Sequence, residues 1–484
     1  MVIAFVMAGC VLTQGTKDET ERDVLFNTFE EEAPELDPNN PRTYVDRSDF
    51  YRLNPKTYNQ AVANATKAIE LDPSLAEAYV SRASVLVEIS HFAHAPQGSL
   101  SEGEVSTESI SAWALPTKVL VEKAIADATK AIELNPDLAN AYFARAHVYL
   151  DTKKSELAIT DYDRVLELSP NIYLVVMAFV HRSRGHWQLG LLNQAIQDAI
   201  MALELEPDLA AALKIEPSMA TWHGMGLDAI VATAYINRGL AYDEQGSVDV
   251  AAADYTAAIQ RDPEFAEAYG NRAKTYVSMG LYQQALADAN RAIEINRHLA
   301  PAFNARALAY LGLGRTEDAL TDVTRAIDQD PVFAMAYSNR AYMNTGLRRY
   351  DHAVVDATKA LELDPNLVPA YANRAEAHLL TGDYDRAISD STSALERDPT
   401  LVGTLIGRAF AYVAKGEYSL GLDDADRALT LRPRQLEALY VRGKALLMLT
   451  NGEQGREDLN RVIETSQKSN LVDLARRALF QAEQ

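Results

Sequence analysis

Apolar and small residues recur along most of this chain at helical spacing, and the pattern itself recurs. The segment AEAYGNRAKTYVSMGLYQQALADANRAIEINR, from Ala266, aligns without a gap with AMAYSNRAYMNTGLRRYDHAVVDATKALELDP, from Ala334. Each segment carries one apolar stripe with a period of about 3.6 residues, then a turn and a second stripe. Most such segments end in Asp-Pro or Asn-Pro, and the residue before a proline avoids the helical conformation. The pattern therefore predicts two amphipathic helices in each segment.

The segments repeat every 34 residues. Four of the prolines that close them show this spacing: Pro331, Pro365, Pro399 and Pro433. The turn between the two helices holds glycine at one position of five repeats: Gly246, Gly280, Gly314, Gly382 and Gly416. The second helices share small residues at two positions, seven residues apart: Ala285, Ala319, Ala353 and Ala387, then Ala292, Ala326, Ala360 and Ala394. Small residues let helices pack closely, and one pair cannot bury its apolar face alone. The sequence therefore predicts stacked pairs.

This period and pattern resemble the tetratricopeptide repeat family over about residues 42–469. The resemblance implies an all-α fold, a right-handed α-solenoid of stacked antiparallel helix pairs with about eleven repeats of 34 residues. It also implies that residues of the first helix of each pair line a groove. Extended peptides or partner helices bind in this groove in the family.

Two proline spacings exceed the period and indicate insertions. Pro73 and Pro136 are 63 residues apart, and Pro207 and Pro263 are 56 apart. The predicted organisation begins with an apolar segment at 1–9 and an acidic and polar tether at 10–41. An N-terminal array follows at 42–209, with an insertion near 90–118, and then a second insertion at 210–231. A C-terminal array at 232–469 and a capping helix at 470–484 complete it.

An arginine occupies a first-helix position that holds leucine in the resembled family. It is present in all ten repeats after the first: Arg82, Arg145, Arg182, Arg238, Arg272, Arg306, Arg340, Arg374, Arg408 and Arg442. An aspartate lies 16 residues after each of the last nine: Asp161, Asp198, Asp254, Asp288, Asp322, Asp356, Asp390, Asp424 and Asp458. A buried charge without a partner is costly. We therefore expect a structural, bidentate Arg–Asp bridge, either within one repeat or between neighbours.

Asparagine precedes this arginine in four repeats: Asn237, Asn271, Asn339 and Asn373. In the resembled family, asparagine at this position helps to hold a peptide's terminal carboxylate, together with nearby Lys or Arg. The corresponding positions here hold Thr233, Glu267, Met335 and Pro369, so carboxylate capture lacks its basic partners. The amides could bind a peptide backbone or could bridge scaffold helices. One turn further on the same face, Lys274 and Tyr342 are candidate groove residues.

The net charge of −22 disfavours nucleic acid and anionic membrane surfaces as partners. It favours neutral or basic segments of proteins. No phosphate-binding loop, nucleophile motif or zinc motif occurs in the sequence. His91 and His94 form the only close histidine pair, and we interpret them as part of a polar loop. We therefore predict a non-enzyme without a metal or cofactor.

The only cysteine, Cys10, follows an apolar run in the stretch MVIAFVMAGC. Met-Ala-Gly-Cys resembles the cleavage box of bacterial lipoproteins, which implies that residues 1–9 are a lipoprotein signal peptide that is removed and that Cys10 is lipidated. Acyl chains would then hold the protein at a membrane. We expect a lipid-anchored, periplasm-facing scaffold or adaptor in a bacterial cell-envelope assembly. The alternatives are a cytoplasmic adaptor or co-chaperone, and a regulatory subunit of a separate enzyme.

Overall fold

The structure, a computed structural model, describes residues 33–92, 116–215, 226–449 and 452–482. These residues form 24 α-helices and one short 3₁₀ helix, and no strand occurs among them. The helices belong to two compact units, Met1–Arg297 (unit 1) and His298–Gln484 (unit 2). The boundary between the units lies inside the stretch that the sequence analysis treats as one C-terminal array.

Unit 1 contains the first thirteen helices. They are α1 (Pro41–Tyr51), α2 (Tyr58–Leu71), α3 (Ala76–Phe92), α4 (Thr117–Leu134), α5 (Ala139–Asp151), α6 (Ser155–Leu168), α7 (Ile172–Gln188), α8 (Leu192–Glu204), α9 (Glu206–Ile215), α10 (Leu227–Glu244), α11 (Val248–Arg261), α12 (Ala266–Ser278) and α13 (Tyr282–Ile295). The 3₁₀ helix Pro55–Thr57 precedes α2.

Unit 2 contains the remaining eleven helices. They are α14 (Ala300–Gly312), α15 (Thr316–Gln329), α16 (Ala334–Gly346), α17 (Tyr350–Leu363), α18 (Val368–Thr381), α19 (Tyr384–Arg397), α20 (Val402–Lys415), α21 (Tyr418–Leu431), α22 (Leu436–Leu449), α23 (Gly452–Thr465) and α24 (Ser469–Ala482).

Helices pack in sequential pairs, as the repeat predicts. In each pair the first helix packs against the second, and within each unit the second helix packs against the first helix of the next pair. Eleven such pairs occur among the described residues, and α9 and α24 stand outside the pairing. The predicted class, an all-α fold of stacked helix pairs, is therefore confirmed.

Glycine at the turn within a pair provides a backbone conformation that other residues rarely adopt. Gly246, Gly280, Gly314, Gly382 and Gly416 all have positive φ, between 74° and 83°. Arg348 occupies the same turn position in its repeat and has a φ of 59°.

The end of the second helix is fixed by a side chain as well as by proline. In α17, Asp364 leaves the helical conformation, and its carboxylate accepts a hydrogen bond from the backbone N–H of Asn366 at 2.9 Å. Asp72, Asn135, Asp262, Asp330 and Asp398 make the same contact in their repeats. The Asp of the Asp-Pro pair therefore stabilises the turn into the next first helix.

The core between helices consists largely of alanine. The eight alanines that the sequence analysis places at two second-helix positions are all at most 1% exposed. Larger apolar side chains join them towards the end of unit 2, where Leu405, Leu439 and Leu459 are buried together. Small residues thus allow the close approach of neighbouring helices that stacking requires.

Three predicted features fall on or beside residues that the structure does not describe. Cys10, the signal at 1–9 and most of the tether lie outside the described residues, and so does His94. The backbone of His91 belongs to α3. In the region of the second insertion, α9 ends at Ile215 and α10 begins at Leu227.

Candidate functional site

The ten arginines and their aspartates form bidentate bridges inside the ten helix pairs from α3–α4 to α22–α23. In every pair Nε donates to Oδ2 and Nη2 donates to Oδ1 of one aspartate, at 2.5–2.9 Å. Arg82 reaches Asp127 across the first insertion. The aspartate side chains are 4–11% exposed and the arginines 12–23%. Burial makes each partner depend on the other.

Further contacts join each bridge to its surroundings. The guanidinium of Arg272 lies 5.8 Å from the ring of Tyr269, three residues before it, and seven other repeats have the same arrangement. Arg272 Nη1 also donates to the hydroxyl of Thr256, on the second helix of the preceding pair. Nη1 of Arg272 thus ties its pair to the preceding one, in addition to the bridge within its own pair.

Three of the four candidate asparagines bridge consecutive first helices. Asn237 donates to the carbonyl of Val180 at 2.8 Å, Asn339 to Oδ1 of Asn304 at 2.9 Å, and Asn373 to the carbonyl of Ser338 at 2.9 Å. This arrangement corresponds to the second of the two interpretations of these residues, in which the amides join scaffold helices. The Asn271 side chain is half-buried and makes no hydrogen bond within the described part of the chain.

The two other candidate groove residues differ in their contacts. Lys274 pairs with Asp243 at 3.0 Å, so part of its charge is already neutralised within unit 1. Tyr342 is 51% exposed on the first-helix face of unit 2. A ring so exposed is available to a partner.

A cavity of about 100 Å³ opens on the first helices of the N-terminal pairs. It is lined by α1, α3, α5 and α7, and by none of the second helices. Its apolar wall consists of Val45, Val80, Val87, Leu138, Phe143 and Met177. A concave apolar surface with a few polar groups is the usual form of a binding site.

Polar groups are concentrated at two places in this cavity. Asp49 accepts a hydrogen bond from the Ser81 hydroxyl at 2.8 Å. Burial raises the pKa of Asp49 above its usual range, an effect that Arg52 and Ser81 only partly offset. At the other side, His181 stacks on Tyr162 with ring centres 6.0 Å apart and approaches His147 at 5.1 Å.

The sequence analysis did not predict this cavity, although one repeat position that it identified as a candidate groove position lines the cavity in the N-terminal repeats. Lys274 and Tyr342 lie two residues after the repeated arginine, and the same position in earlier repeats holds Ser84 and His147. Both residues line the cavity. Extending that position to the N-terminal repeats would have identified two of its side chains.

Two other kinds of feature, a metal site and a membrane-spanning helix, are absent from the described ranges. No group of three or more His, Cys, Asp or Glu side chains there could hold a metal ion. No described helix is both long and apolar enough to cross a membrane.

The stacked pairs and the cavity on their first helices define a helical repeat protein. Sequence models of the tetratricopeptide repeat match residues 139–172, 232–265, 266–299, 304–368 and 357–389. The chain therefore contains tetratricopeptide repeats, as its sequence predicts. Repeats of this family indicate a protein-interaction scaffold.

Individual relatives are distant. Human tetratricopeptide repeat protein 13 is 24% identical over 207 residues, which cover 40% of this chain but only 23% of the human protein. A tetratricopeptide repeat protein from Parabacteroides merdae ATCC 43184 has 21% identity and a TM-score of 0.37, covering 52% of this chain and all of that structure. The APC/C hetero-tetramer Cut9–Hcn1 has 14% identity and a TM-score of 0.47, covering 91% of this chain and 98% of the other.

Proposed function

We propose that this protein is a non-catalytic scaffold that binds a peptide segment or helix of a partner protein in the cavity of unit 1. The observation that carries the proposal is the lining of that cavity by four first helices in succession. One bound segment could thus contact four helix pairs at once. The bridging arginines and asparagines hold these pairs in register without occupying the cavity.

The partner segment is neutral or basic. Three carboxylates line the cavity, at Asp49, Glu77 and Glu88, against the single guanidinium of Arg52. The net charge of the chain has the same sign. Acidic segments would therefore be repelled both at a distance and on contact.

Filling the cavity tests the proposal. Peptides of twelve residues would first be selected from a random displayed library for binding to the full chain. Ser84→Trp places a large ring in the cavity, and we expect it to weaken binding of these peptides at least tenfold without lowering the melting temperature. The control is Lys118→Trp, since the Lys118 side chain is 85% exposed on α4, outside the cavity. Equal binding to wild type and Ser84→Trp would show that the site lies elsewhere.

We further propose that the scaffold is lipid-anchored through Cys10 and faces the periplasm of a bacterial cell envelope. The support is the Met-Ala-Gly-Cys stretch and the polar residues that follow it. The test is membrane partitioning of the full chain and of Cys10→Ala, with the intact mass of the processed N-terminus. An acylated N-terminal Cys10 in the membrane fraction supports the anchor. Soluble protein that retains residues 1–9 contradicts it.

A further inference from the structure

The cavity of unit 1 has two walls of different chemistry. The first is formed by α1 and α3, and all three carboxylates that line the cavity lie on it: Asp49, Glu77 and Glu88. The second is formed by α5 and α7, and none of its lining residues carries a carboxylate. It presents the rings of Phe143 and His181, which pack edge to face with centres 5.7 Å apart. We name these the acidic wall and the aromatic wall.

The carboxylates of the acidic wall are not neutralised by ion pairs. No Lys or Arg of the described ranges forms an ion pair with Asp49, Glu77 or Glu88. Arg52, the one guanidinium that lines the cavity, affects the pKa of Asp49 only from a distance. Glu77 is exposed at the rim, whereas Asp49 and Glu88 are half-buried. The negative charge of this wall is therefore available to a ligand.

Asp49 is held in position within the acidic wall. Its Oδ1 accepts the hydrogen bond from Ser81, and the Ser81 hydroxyl also lies 2.8 Å from that of Ser48. Ser48 is fully buried and donates to the carbonyl of Ala61 at 2.8 Å. Oδ2 of Asp49 makes no hydrogen bond within the described part of the chain. A donor that enters the cavity thus meets an oriented carboxylate with one unused oxygen.

A side chain that suits both walls is apolar along its stem and positively charged at its end. Lys and Arg have this form, since their methylene stems cover apolar surface while the charged end reaches polar groups. Val80, Val87 and Phe143 present carbon to such a stem. An apolar side chain would remove the carboxylates from water without a partner, and an acidic one would add a like charge.

We propose that the cavity anchors its partner through one lysine or arginine side chain, whose charged end pairs with Asp49 while its stem packs on the apolar lining residues. Glu77 and Glu88 add attraction from the same wall. This inference rests on the proposed function and deepens it, because it names the type of residue that the cavity selects. A segment with a basic residue at the anchor position is bound in preference to the same segment with a neutral residue there.

The peptides selected on the full chain for the proposed function also test this anchor. Their sequences should contain Lys or Arg more often than the unselected library does. In one selected peptide the basic residue is then replaced by its neutral counterpart, norleucine for lysine or citrulline for arginine. Binding to wild type should weaken about tenfold, because hydrogen bonds between charged groups are the stronger ones. An unchanged affinity overturns the proposal.

Asp49→Asn locates the effect, because the amide keeps the shape of the side chain and carries no charge. The basic peptide and its neutral counterpart should bind this variant with far more similar affinities than they bind wild type. The matched control is Asp46→Asn, since Asp46 lies on the same helix but is exposed and does not line the cavity. A tenfold difference that persists in Asp49→Asn overturns the proposal, and so does an equal loss of the difference in Asp46→Asn.

Glu88→Gln provides a second variant that does not touch the hydrogen bonds around Asp49. Glu88 makes no hydrogen bond or ion pair within the described ranges, so the melting temperature should not change. Binding of the basic peptide should weaken, by less than in Asp49→Asn, while binding of the neutral counterpart should not. An equal effect on the two peptides contradicts an anchor that is selected by charge.

Failure of this inference differs from failure of the proposed function. Peptides that bind wild type but not Ser84→Trp, and that show no enrichment in Lys or Arg, would place the binding site in the cavity and overturn only the basic anchor. Peptides that bind wild type and Ser84→Trp equally, or a selection that yields no binding peptide, would overturn both.

Discussion

The prediction with the largest expected effect concerns Glu267, the second residue of α12. Its side chain is 7% exposed, and neither carboxylate oxygen has a hydrogen-bond partner on another described residue. Burial raises the pKa of Glu267 from 4.5 to about 8, and the negative charge of Asp262 adds to this effect. The folded protein therefore holds a proton on this group at neutral pH.

The sign and size of the consequence follow from this pKa. Between pH 4.5 and about pH 8 the folded state binds more protons than the unfolded state, so the free energy of unfolding falls as the pH rises. The pKa of Glu267 is raised by about 3.5 units, and each unit corresponds to about 1.36 kcal/mol. The free energy of unfolding is therefore lower by about 5 kcal/mol above pH 8 than it is below pH 4.5. Below pH 4.5 both states are protonated and this cost disappears.

Glu267→Gln removes the titration and tests the reasoning. Urea unfolding would be followed by circular dichroism at about pH 5 and about pH 9. The free energy of unfolding of the variant minus that of wild type should increase by about 4 kcal/mol from about pH 5 to about pH 9. The buried amide of Gln also changes the free energy of unfolding, but by the same amount at both pH values because an amide does not titrate. The matched control is Glu77→Gln, which lies at the same position of an identical Ala-Glu-Ala-Tyr stretch but is exposed. A relative stability of Glu267→Gln that does not change with pH refutes the prediction.

Two further predictions concern the scaffold. Arg340→Met should lower the free energy of unfolding by about 3–5 kcal/mol, because it leaves Asp356 buried without its bidentate partner. The double variant Arg340→Met with Asp356→Leu should lose less stability, since no unpaired charge remains. Equal losses of the free energy of unfolding in the two variants, measured by chemical denaturation, would contradict this account. Gly443→Ala should destabilise the α22–α23 pair by about 1–3 kcal/mol because the added Cβ would lie 2.9 Å from a backbone oxygen of α23. Gly403→Ala, with open space around it, should instead stabilise α20 by up to about 1 kcal/mol, and thermal unfolding of the two variants measures the contrast.

The repeated features of the fold were predictable because each recurs with the period of the chain. The Arg–Asp bridges illustrate this well. A constant separation of 16 residues indicates a charge pair between two helices of fixed geometry, and the structure forms the pairs accordingly. The turn glycines were predictable for the same reason, because the same backbone conformation recurs at the same position.

Features that depend on the neighbouring pair were not predictable from the sequence. The stretches around Glu77 and Glu267 are identical over four residues, yet one carboxylate is exposed and the other buried. Asn339 and Asn271 also share a position, but only Asn339 finds a partner on the preceding first helix. Periodicity shows which position a residue holds, while the burial of that position depends on side chains about 34 residues away.

The bridges also determine which changes of chain length the fold can accept. Each arginine is held by an aspartate in its own pair, and in several repeats by a threonine one pair earlier. A deletion or duplication of one whole repeat keeps the spacing within every remaining pair, whereas the loss of a single residue within a helix turns the residues beyond it by about 100° about the helix axis and misplaces the bridge of that pair. Additions between the two helices of a pair are tolerated, since Arg82 still meets Asp127 across 45 residues. Such a chain can lengthen or shorten by whole repeats, and new segments can be added at the turns.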